Sequence, residues 1–348
     1  MDFDDLDAEL EQRLEAGETV AGYVRENRQP PKGAVLERMP RNRRLPKDIQ
    51  LPEKARNLLP PSNALEQLKP KLRLLVFYGA GDNVCSAWAQ MQYDVWPECG
   101  SHEIEVATYE WPGHGIREGE ALLKTLDEMR DDAFEGVKEA MDTGAFAVCG
   151  HSIGCLVATA VCEKAKRELA VEPVYAIMLE RASPNFPVLN AEGLDMLRNR
   201  IDEFLPYYGV AFVAKIGGDH GKAMWQHDMQ LENDSRTTDW FQYSCPILSV
   251  CALKNYDMAV HEDVLDEGSR AFKKAREEKI SYYGTCYNFG KEMYEEWSTW
   301  TTHPAGAHVL YLDTDHYGVK THKEVRRMMW KVLRDTIESW GAVDQPAA

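Results

Sequence analysis

Two alternating patterns of hydrophobic and polar positions run through the chain from Lys69 onward. Short apolar runs rich in β-branched and aromatic residues are separated by longer stretches whose apolar positions recur at helical spacing. Several of the short runs are apolar throughout, which is typical of strands covered on both faces in a parallel sheet. The predicted strands lie at 72–78, 104–109, 145–149, 174–180, 246–252 and 308–313. The predicted helices lie at 119–141, 153–169 and 323–340. This alternation predicts an α/β domain with a doubly wound, mostly parallel sheet.

Other segments interrupt this pattern. Residues 185–244 and 261–300 are polar, aromatic-rich and helix-prone, and insertions of this kind usually cover the carboxyl edge of the sheet as lids. Residues 1–68 begin acidic and then become basic with scattered prolines, and no sustained strand or helix period runs through residues 25–56. They are predicted to form an irregular extension over the domain at 69–348, with a docking arm around Arg41–Arg44 as the alternative.

Composition and charge argue against nucleic-acid binding, a membrane span and a metal site built from cysteines. The 348 residues carry a formal net charge of −17, which argues against nucleic acid as the main partner. No apolar stretch reaches the length of a membrane span, and the acidic N-terminus does not resemble a secretory signal, so we expect a cytoplasmic protein. The eight cysteines show no metal-binding spacing, and we expect most of them to be reduced core residues.

A candidate nucleophile lies between a predicted strand and a predicted helix. Residues 150–154 read Gly-His-Ser-Ile-Gly, and Ser152 occupies the turn itself. The pattern alone is weak, but the strand–turn–helix context is that of a nucleophile elbow, which raises the serine Oγ above the sheet. The helix that follows directs its free amides at the reacting centre, so the Ile153 N–H is the expected first oxyanion donor.

The remaining members of a Ser–acid–His triad follow in the chain order of α/β-hydrolases. Asp257 comes five residues after the strand at 246–252, with Asp263 and Asp266 as rivals further into the insertion. His316 follows the last predicted strand and precedes the last helix, where the general base is required. The second oxyanion donor is expected from the Gly-rich loop after the first strand, at Ala80 or else Gly81.

Four separated segments resemble the type II thioesterases that serve polyketide, nonribosomal peptide and fatty acid synthases. They are residues 76–82 (VFYGAGD), 111–117 (WPGHGIR), 150–154 (GHSIG) and 181–184 (RASP). The resemblance covers roughly residues 70–320 and implies an α/β-hydrolase fold with helical lid insertions. Asp82 replaces the second glycine of the family's A-G-G loop, and His114 stands where the family usually has arginine.

The resemblance implies hydrolysis of an acyl thioester through an acyl-enzyme, with acyl-pantetheine on a carrier protein or on CoA as substrate. The chemistry requires neither a metal nor a cofactor. Residues expected to contact substrate are His151, Tyr78, Tyr207, Tyr208, Phe212 and Trp225. Three alternatives stay open, namely an oxyester hydrolase of the carboxylesterase or lipase kind, an acyl-transferring or cyclising thioesterase, and a non-catalytic binding protein on the same fold.

Overall fold

The computed structural model describes residues 71–82, 104–184, 189, 191–208, 212–234, 242–252, 294–312, 314, 316 and 318–343, together with the short strands at 35–38, 259–260 and 282–283. Six parallel strands form the centre of the fold, and a seventh lies antiparallel at one edge. The strands of this sheet are β1 Val35–Arg38, β2 Leu72–Phe77, β3 Ile104–Glu110, β4 Phe146–His151, β5 Ala176–Leu179, β6 Ile247–Ala252 and β9 Ala307–Leu312. Two further strands, β7 Ala259–Val260 and β8 Tyr282–Tyr283, pair with each other.

The strand order across the sheet is β1-β3-β2-β4-β5-β6-β9. All six strands predicted from the sequence are present, and each matches its predicted range to within two residues at either end. Every residue of β3, β4 and β6 is buried, which explains why β4 and β6 read as mostly apolar runs instead of alternating ones. Strand β3 also contains two buried glutamates, Glu105 and Glu110, which are hydrogen-bonded to other side chains. The predicted doubly wound α/β class is therefore confirmed.

Strand β1 comes from the N-terminal extension, where the sequence shows no strand period. Its four residues pair antiparallel with β3, from Val35 opposite Glu110 to Arg38 opposite Ala107. An edge strand is held by backbone hydrogen bonds along one side, so it needs no alternating apolar face. These four residues depart from the irregular extension that the sequence predicts.

Six α-helices are described around the sheet and in the first insertion. They are α1 Leu126–Asp142, α2 Gly154–Leu169, α3 Ala191–Asn199, α4 Ile201–Tyr208, α5 Phe212–Asp234 and α6 Lys323–Val343. Helices α3, α4 and α5 occupy the predicted lid at 185–244. Helix α5 is kinked at Gly218, where φ is 56° and ψ is −150°.

Helix α1 begins seven residues later than the sequence predicts. Thr125 adopts an extended conformation, and its hydroxyl accepts a hydrogen bond from the Glu128 amide at 3.1 Å, so it is the N-cap. Leu122 and Leu123 fit the helical period but lie in the loop before the cap. None of the helices in the described ranges combines the length and the apolar character that crossing a bilayer needs.

Candidate active site

Ser152 lies in a strained backbone conformation at the carboxyl end of β4. Its φ is 54°, in the left-handed region that residues other than glycine seldom adopt, and the side chain is 3% exposed. The Ser152 amide donates to the Leu179 carbonyl at 3.0 Å, which ties the turn to β5. Strain of this kind at the end of a parallel strand is a feature of functional turns.

Two glycines permit the sharp turn around Ser152. A Cβ on Gly150 would lie 2.4 Å from Cα of Cys155, and a Cβ on Gly154 would lie 2.1 Å from the Phe77 carbonyl oxygen. Both contacts are with backbone atoms, so no side-chain adjustment relieves them. Helix α2 therefore starts in direct contact with β4 and with the end of β2.

The loop after β2 packs against this turn. Residues 79–82 form a turn closed by a hydrogen bond of 3.2 Å from the Asp82 amide to the Gly79 carbonyl, with Gly81 at φ 71°. These features define a type II turn. A Cβ on Gly79 would lie 3.1 Å from Cβ of Ser152, so the absence of a side chain at Gly79 brings the turn against the serine. We call residues 79–82 the oxyanion turn, after the role that the sequence predicts for Ala80.

His316 lies beside the nucleophile turn, held by the neighbouring histidine. The imidazole of His151 donates from Nε2 to the carbonyl of His316 at 2.9 Å, and the two ring centroids are 4.9 Å apart. Both imidazoles are buried, at 1% and 4% exposure. The bond connects the end of β4 directly to the segment after β9.

Both histidines are held in the neutral form. Burial, followed by the positive charge of Lys320, lowers the pKa of His151 to about 4. Burial, followed by the electrostatic effects of His151, Lys320 and Arg181, lowers the pKa of His316 well below its usual value. A neutral imidazole is the form that accepts a proton from a serine hydroxyl.

Asp82 joins the oxyanion turn to the histidine segment. Its carboxylate pairs with the Lys320 ammonium at 2.6 Å, and both side chains are largely buried. Lys320 belongs to a short 3₁₀ helix, Gly318–Lys320, that follows His316. Asp82, which stands where the type II thioesterases have glycine, therefore forms an ion pair between the turn after β2 and the segment that contains His316.

A second buried carboxylate, Asp228 of helix α5, contacts the same turn. Its Oδ2 accepts the Gly81 amide at 2.8 Å and lies 3.0 Å from Nε2 of His114, while Oδ1 lies 3.1 Å from Nδ1 of His227. Nδ1 of His114 faces the Pro112 carbonyl at 3.0 Å. Sequence reasoning missed Asp228, because an isolated acid on a polar lid helix gives no signal of burial.

His114 and Asp228 form a buried ion pair. Burial lowers the pKa of His114, but the Asp228 carboxylate and the hydrogen bonds outweigh burial, and the net pKa is raised. Burial raises the pKa of Asp228, but the charge and hydrogen bond of His114 outweigh it, and the net pKa is lowered. Both ring nitrogens of His114 face acceptors, which is the arrangement of an imidazolium.

The oxyanion donors expected from the sequence separate into two groups. The Gly81 N–H is donated to Asp228, so Gly81 is corrected from a candidate donor to an anchor of the turn. The amides of Ala80 and Ile153 donate to no acceptor within the described residues. They remain the candidate donors.

The residues expected to contact substrate fall in different places. Tyr78 is fully buried, and its hydroxyl donates to Glu110 and accepts the Trp111 amide, so it supports the loop after β3 instead of facing a ligand. His151 is likewise buried and orients the histidine segment. The ring of Trp225 packs over Gly81, 3.3 Å from where a Cβ would stand.

Other expected residues lie wholly or with their side chains outside the described part of the chain. Tyr207 and Tyr208 end helix α4 and Phe212 begins helix α5, with side chains outside the described part. Asp257, Asp263 and Asp266 lie outside the described residues. Within the described residues, no group of three or more His, Cys, Asp and Glu side chains is arranged to hold a metal ion.

The segment after β5 also joins the sheet to the lid. Arg181 and Glu232 form an ion pair at 3.0 Å, with each side chain 2% exposed. Trp297 donates its indole N–H to the Arg181 carbonyl at 2.8 Å. Helix α5 thus contacts the core through Asp228 and, one turn later, through Glu232.

Comparisons with known proteins find a family model and solved structures that are similar to this chain. The model of the thioesterase-domain family matches residues 85–208. No curated protein sequence matches the chain. Solved structures that it resembles include RedJ, a thioesterase from the prodiginine biosynthetic pathway in Streptomyces coelicolor, with 19% identity and a TM-score of 0.56 over 77% of this chain and 86% of RedJ.

Two further structures extend the likeness. ClbQ, from the colibactin NRPS/PKS pathway, is 17% identical with a TM-score of 0.56, over 78% of this chain and 99% of ClbQ. BorB, a type II thioesterase from the borrelidin biosynthetic cluster, is 13% identical with a TM-score of 0.53, over 77% of this chain and 95% of BorB. At these identities the likeness establishes the fold.

The sheet, the strained serine turn and these structural relatives define the class as the α/β-hydrolase fold. Within that class, the family-model match and the solved structures both point to thioesterases. The predicted resemblance to the type II thioesterases is confirmed at the level of fold.

Proposed function

We propose that the chain hydrolyses acyl thioesters, with Ser152 as nucleophile and His316 as general base. The observation that carries the proposal is the strained φ of 54° at Ser152, in a turn that contacts both the oxyanion turn and the segment bearing His316. A residue held at this cost, in a turn that is bonded to a segment with a neutral buried imidazole, has the surroundings expected of an activated nucleophile.

The proposed reaction has two steps. Oγ of Ser152 attacks the thioester carbonyl while His316 takes the hydroxyl proton, and the C–S bond breaks as the proton passes to the leaving thiolate. Water then attacks the acyl-serine, giving its proton to His316, and the carboxylic acid and the Ser152 hydroxyl are released. Asp257 is the proposed carboxylate that orients His316 and stabilises its cation.

The oxyanion of each tetrahedral intermediate is proposed to accept hydrogen bonds from the amides of Ala80 and Ile153. Ile153 precedes helix α2, so the positive end of that helix adds to the stabilisation. Removing one donor from such a site typically costs about 3 kcal/mol of transition-state stabilisation. In this proposal, backbone amides and not a charged side chain stabilise the oxyanion. Uncharged donors suit a site that must also bind neutral acyl groups.

The proposed substrate is an acyl group on phosphopantetheine, carried by a carrier protein or by CoA. Support comes from the origin of the solved relatives, since ClbQ comes from an NRPS/PKS pathway and BorB from a biosynthetic cluster. Trp225, which packs over the oxyanion turn, is the proposed wall of the acyl site nearest the reacting carbonyl. Tyr207, Tyr208 and Phe212 of the lid are proposed to extend it.

A hydrolysis panel tests the proposal. Acyl-pantetheine thioesters and p-nitrophenyl esters carrying the same short, medium and long acyl groups are compared by kcat/KM. We expect the thioesters to be preferred, and Ser152→Ala or His316→Ala to lower kcat by roughly 10⁴-fold or more. Turnover of the oxyesters alone would assign an esterase instead, and detection of a lactone or lactam product would assign a cyclising enzyme.

A further inference from the structure

Helix α5 reaches the oxyanion turn through one carboxylate. Asp228 is fully buried and is bonded to the Gly81 amide at 2.8 Å, in the middle of the four-residue turn whose Ala80 amide is the candidate donor. A carboxylate acceptor makes a stronger hydrogen bond to a backbone amide than a neutral acceptor does. The lid helix therefore fixes part of the backbone on which oxyanion stabilisation depends.

The buried charge of Asp228 is balanced inside the protein. His114, from the loop after β3, faces Oδ2 at 3.0 Å, and its second ring nitrogen is held by the Pro112 carbonyl. His227 faces Oδ1, and its other ring nitrogen is bonded to the Leu123 carbonyl. The carboxylate thus has three partners, one on its own helix and two on other segments, so its position and that of the Gly81 amide are set together.

We propose that Asp228 is a positioning residue for catalysis, which holds the oxyanion turn in place through the Gly81 amide with His114 as its charge partner. The inference rests on the proposed function, since it assumes that the turn stabilises an oxyanion. It assigns part of the lid a catalytic purpose, because helix α5 then supports the site as well as covering it. Asp228 itself touches no reacting atom.

The rate at which a fluorophosphonate labels Ser152 tests the proposal without requiring a thioester. The phosphoryl oxygen of the probe occupies the oxyanion site, so a displaced turn slows labelling. We expect Asp228→Ala to lower the second-order labelling rate by about 10²-fold, the typical effect of losing one donor. Asp228→Asn keeps a weaker acceptor for Gly81 and is expected to be slower than wild type by about threefold to tenfold.

Asp202→Ala is the matched control, since it removes an exposed carboxylate that pairs with Lys222 of the same helix α5. It is expected to be labelled at the wild-type rate. Folding of each variant is checked by its thermal transition. If Asp228→Ala folds and is labelled at the wild-type rate, the proposal is overturned. If Asp228→Ala does not fold, Asp228→Asn decides, and its labelling at the wild-type rate would overturn the proposal.

A split of kinetic parameters separates positioning from a structural role. With an acyl-pantetheine substrate, Asp228→Ala is expected to lower kcat with KM changed less than about threefold, because the lost interaction acts in the transition state. A rise in KM alone would contradict the assignment. If the wild type is labelled by the probe but hydrolyses no thioester, the proposed function fails while the labelling comparison still decides the role of Asp228.

Discussion

Ser152 combines the position proposed for the nucleophile with an unfavourable backbone conformation. Its φ of 54° costs a residue with a Cβ about 1–2 kcal/mol, and the surrounding turn imposes this conformation through the Ser152 amide bond to Leu179. A structural serine has no need of such a conformation. The cost is explained if raising Oγ out of the sheet is what the turn provides.

A comparison of Ser152→Gly with Ser152→Ala measures that cost. Glycine adopts the left-handed conformation without a steric penalty, whereas alanine keeps the Cβ and loses the hydroxyl. We expect the glycine variant to be more stable than the alanine variant by about 1 kcal/mol in chemical denaturation, with both inactive. Equal stability of the two variants would show that the turn does not strain this residue.

The two glycines beside Ser152 are a separate residue-scale test. Gly150→Ala places a Cβ 2.4 Å from Cα of Cys155, so we expect a loss of roughly 1–3 kcal/mol or more in the free energy of unfolding, together with lost activity. Gly119→Ala is the matched control, because Gly119 is exposed and no atom lies within 4 Å of its Cβ position. Similar stability of both variants would contradict the close packing of β4 on α2.

At the scale of single residues, the sequence predicts local backbone geometry better than contacts between distant residues. The Gly-x-Ser-x-Gly pattern indicates the strained turn because its spacing is local. The choice between Ala80 and Gly81 depends on which amide Asp228 takes, and that acid is 147 residues away along the chain. The placement of Tyr78 against Glu110 is similarly non-local, so a residue predicted to meet substrate is found in the core.

Helix α5 is the element that joins the lid to the sheet. Asp228 and Glu232 are four residues apart and so lie on the same helix face, and each meets a buried cation, His114 and Arg181 respectively. Such contacts are costly to break, because the partner charge stays in the protein interior. The part of α5 after the kink at Gly218 is therefore fixed to the core.

Glu232→Gln tests this attachment. The change removes the negative charge that faces Arg181 at 3.0 Å, and we expect a loss of roughly 3–5 kcal/mol in the free energy of unfolding. The matched control is Glu163→Gln, which weakens the more exposed pair with Arg167 on α2 and is expected to cost less than about 1 kcal/mol. Denaturant titrations measure both losses. If the two variants lose similarly little free energy of unfolding, the buried pair does not hold helix α5 on the core.

The hydrophobic pattern predicts the boundaries of a strand or helix well where burial alone determines them. The central strands β4 and β6 are predicted well because burial on both faces gives a mostly apolar run. The start of α1 is misjudged because Leu122 and Leu123 fit the helical period, whereas the Thr125 N-cap makes the helix begin only after them. Strand β1 gives no signal, since edge pairing with β3 depends on backbone groups that the side-chain pattern does not report.

At the scale of the whole molecule, the buried histidines make stability depend on pH. His151 and His316 have lowered pKa values in the folded state, while the unfolded chain titrates near 6.5. Below that pH the unfolded state binds more protons, so stability falls as the pH falls. The contribution of His114 to stability has the opposite pH dependence, because its pKa is raised in the folded state. That contribution is present at low pH and is lost as the pH rises through the pKa that His114 has in the folded protein.

We therefore expect the free energy of unfolding to decrease between pH 6.5 and pH 4, by about 1.4 kcal/mol per pH unit for each histidine that stays neutral. Denaturant titration across this range measures the slope. His151→Gln keeps a donor for the His316 carbonyl and is expected to reduce the slope by one histidine's share. A stability that does not change over this range would contradict the neutral, buried state of the pair.

The central claim is that Ser152 carries the acyl group during turnover. Rapid quenching of the enzyme with an acyl-pantetheine thioester, followed by intact-mass measurement and peptide mapping, tests it most directly. The account predicts a mass increase equal to the acyl group on the peptide that contains Ser152, with neither adduct nor turnover in Ser152→Ala. Thioester turnover that persists in Ser152→Ala, or an acyl group found on another residue, would contradict it.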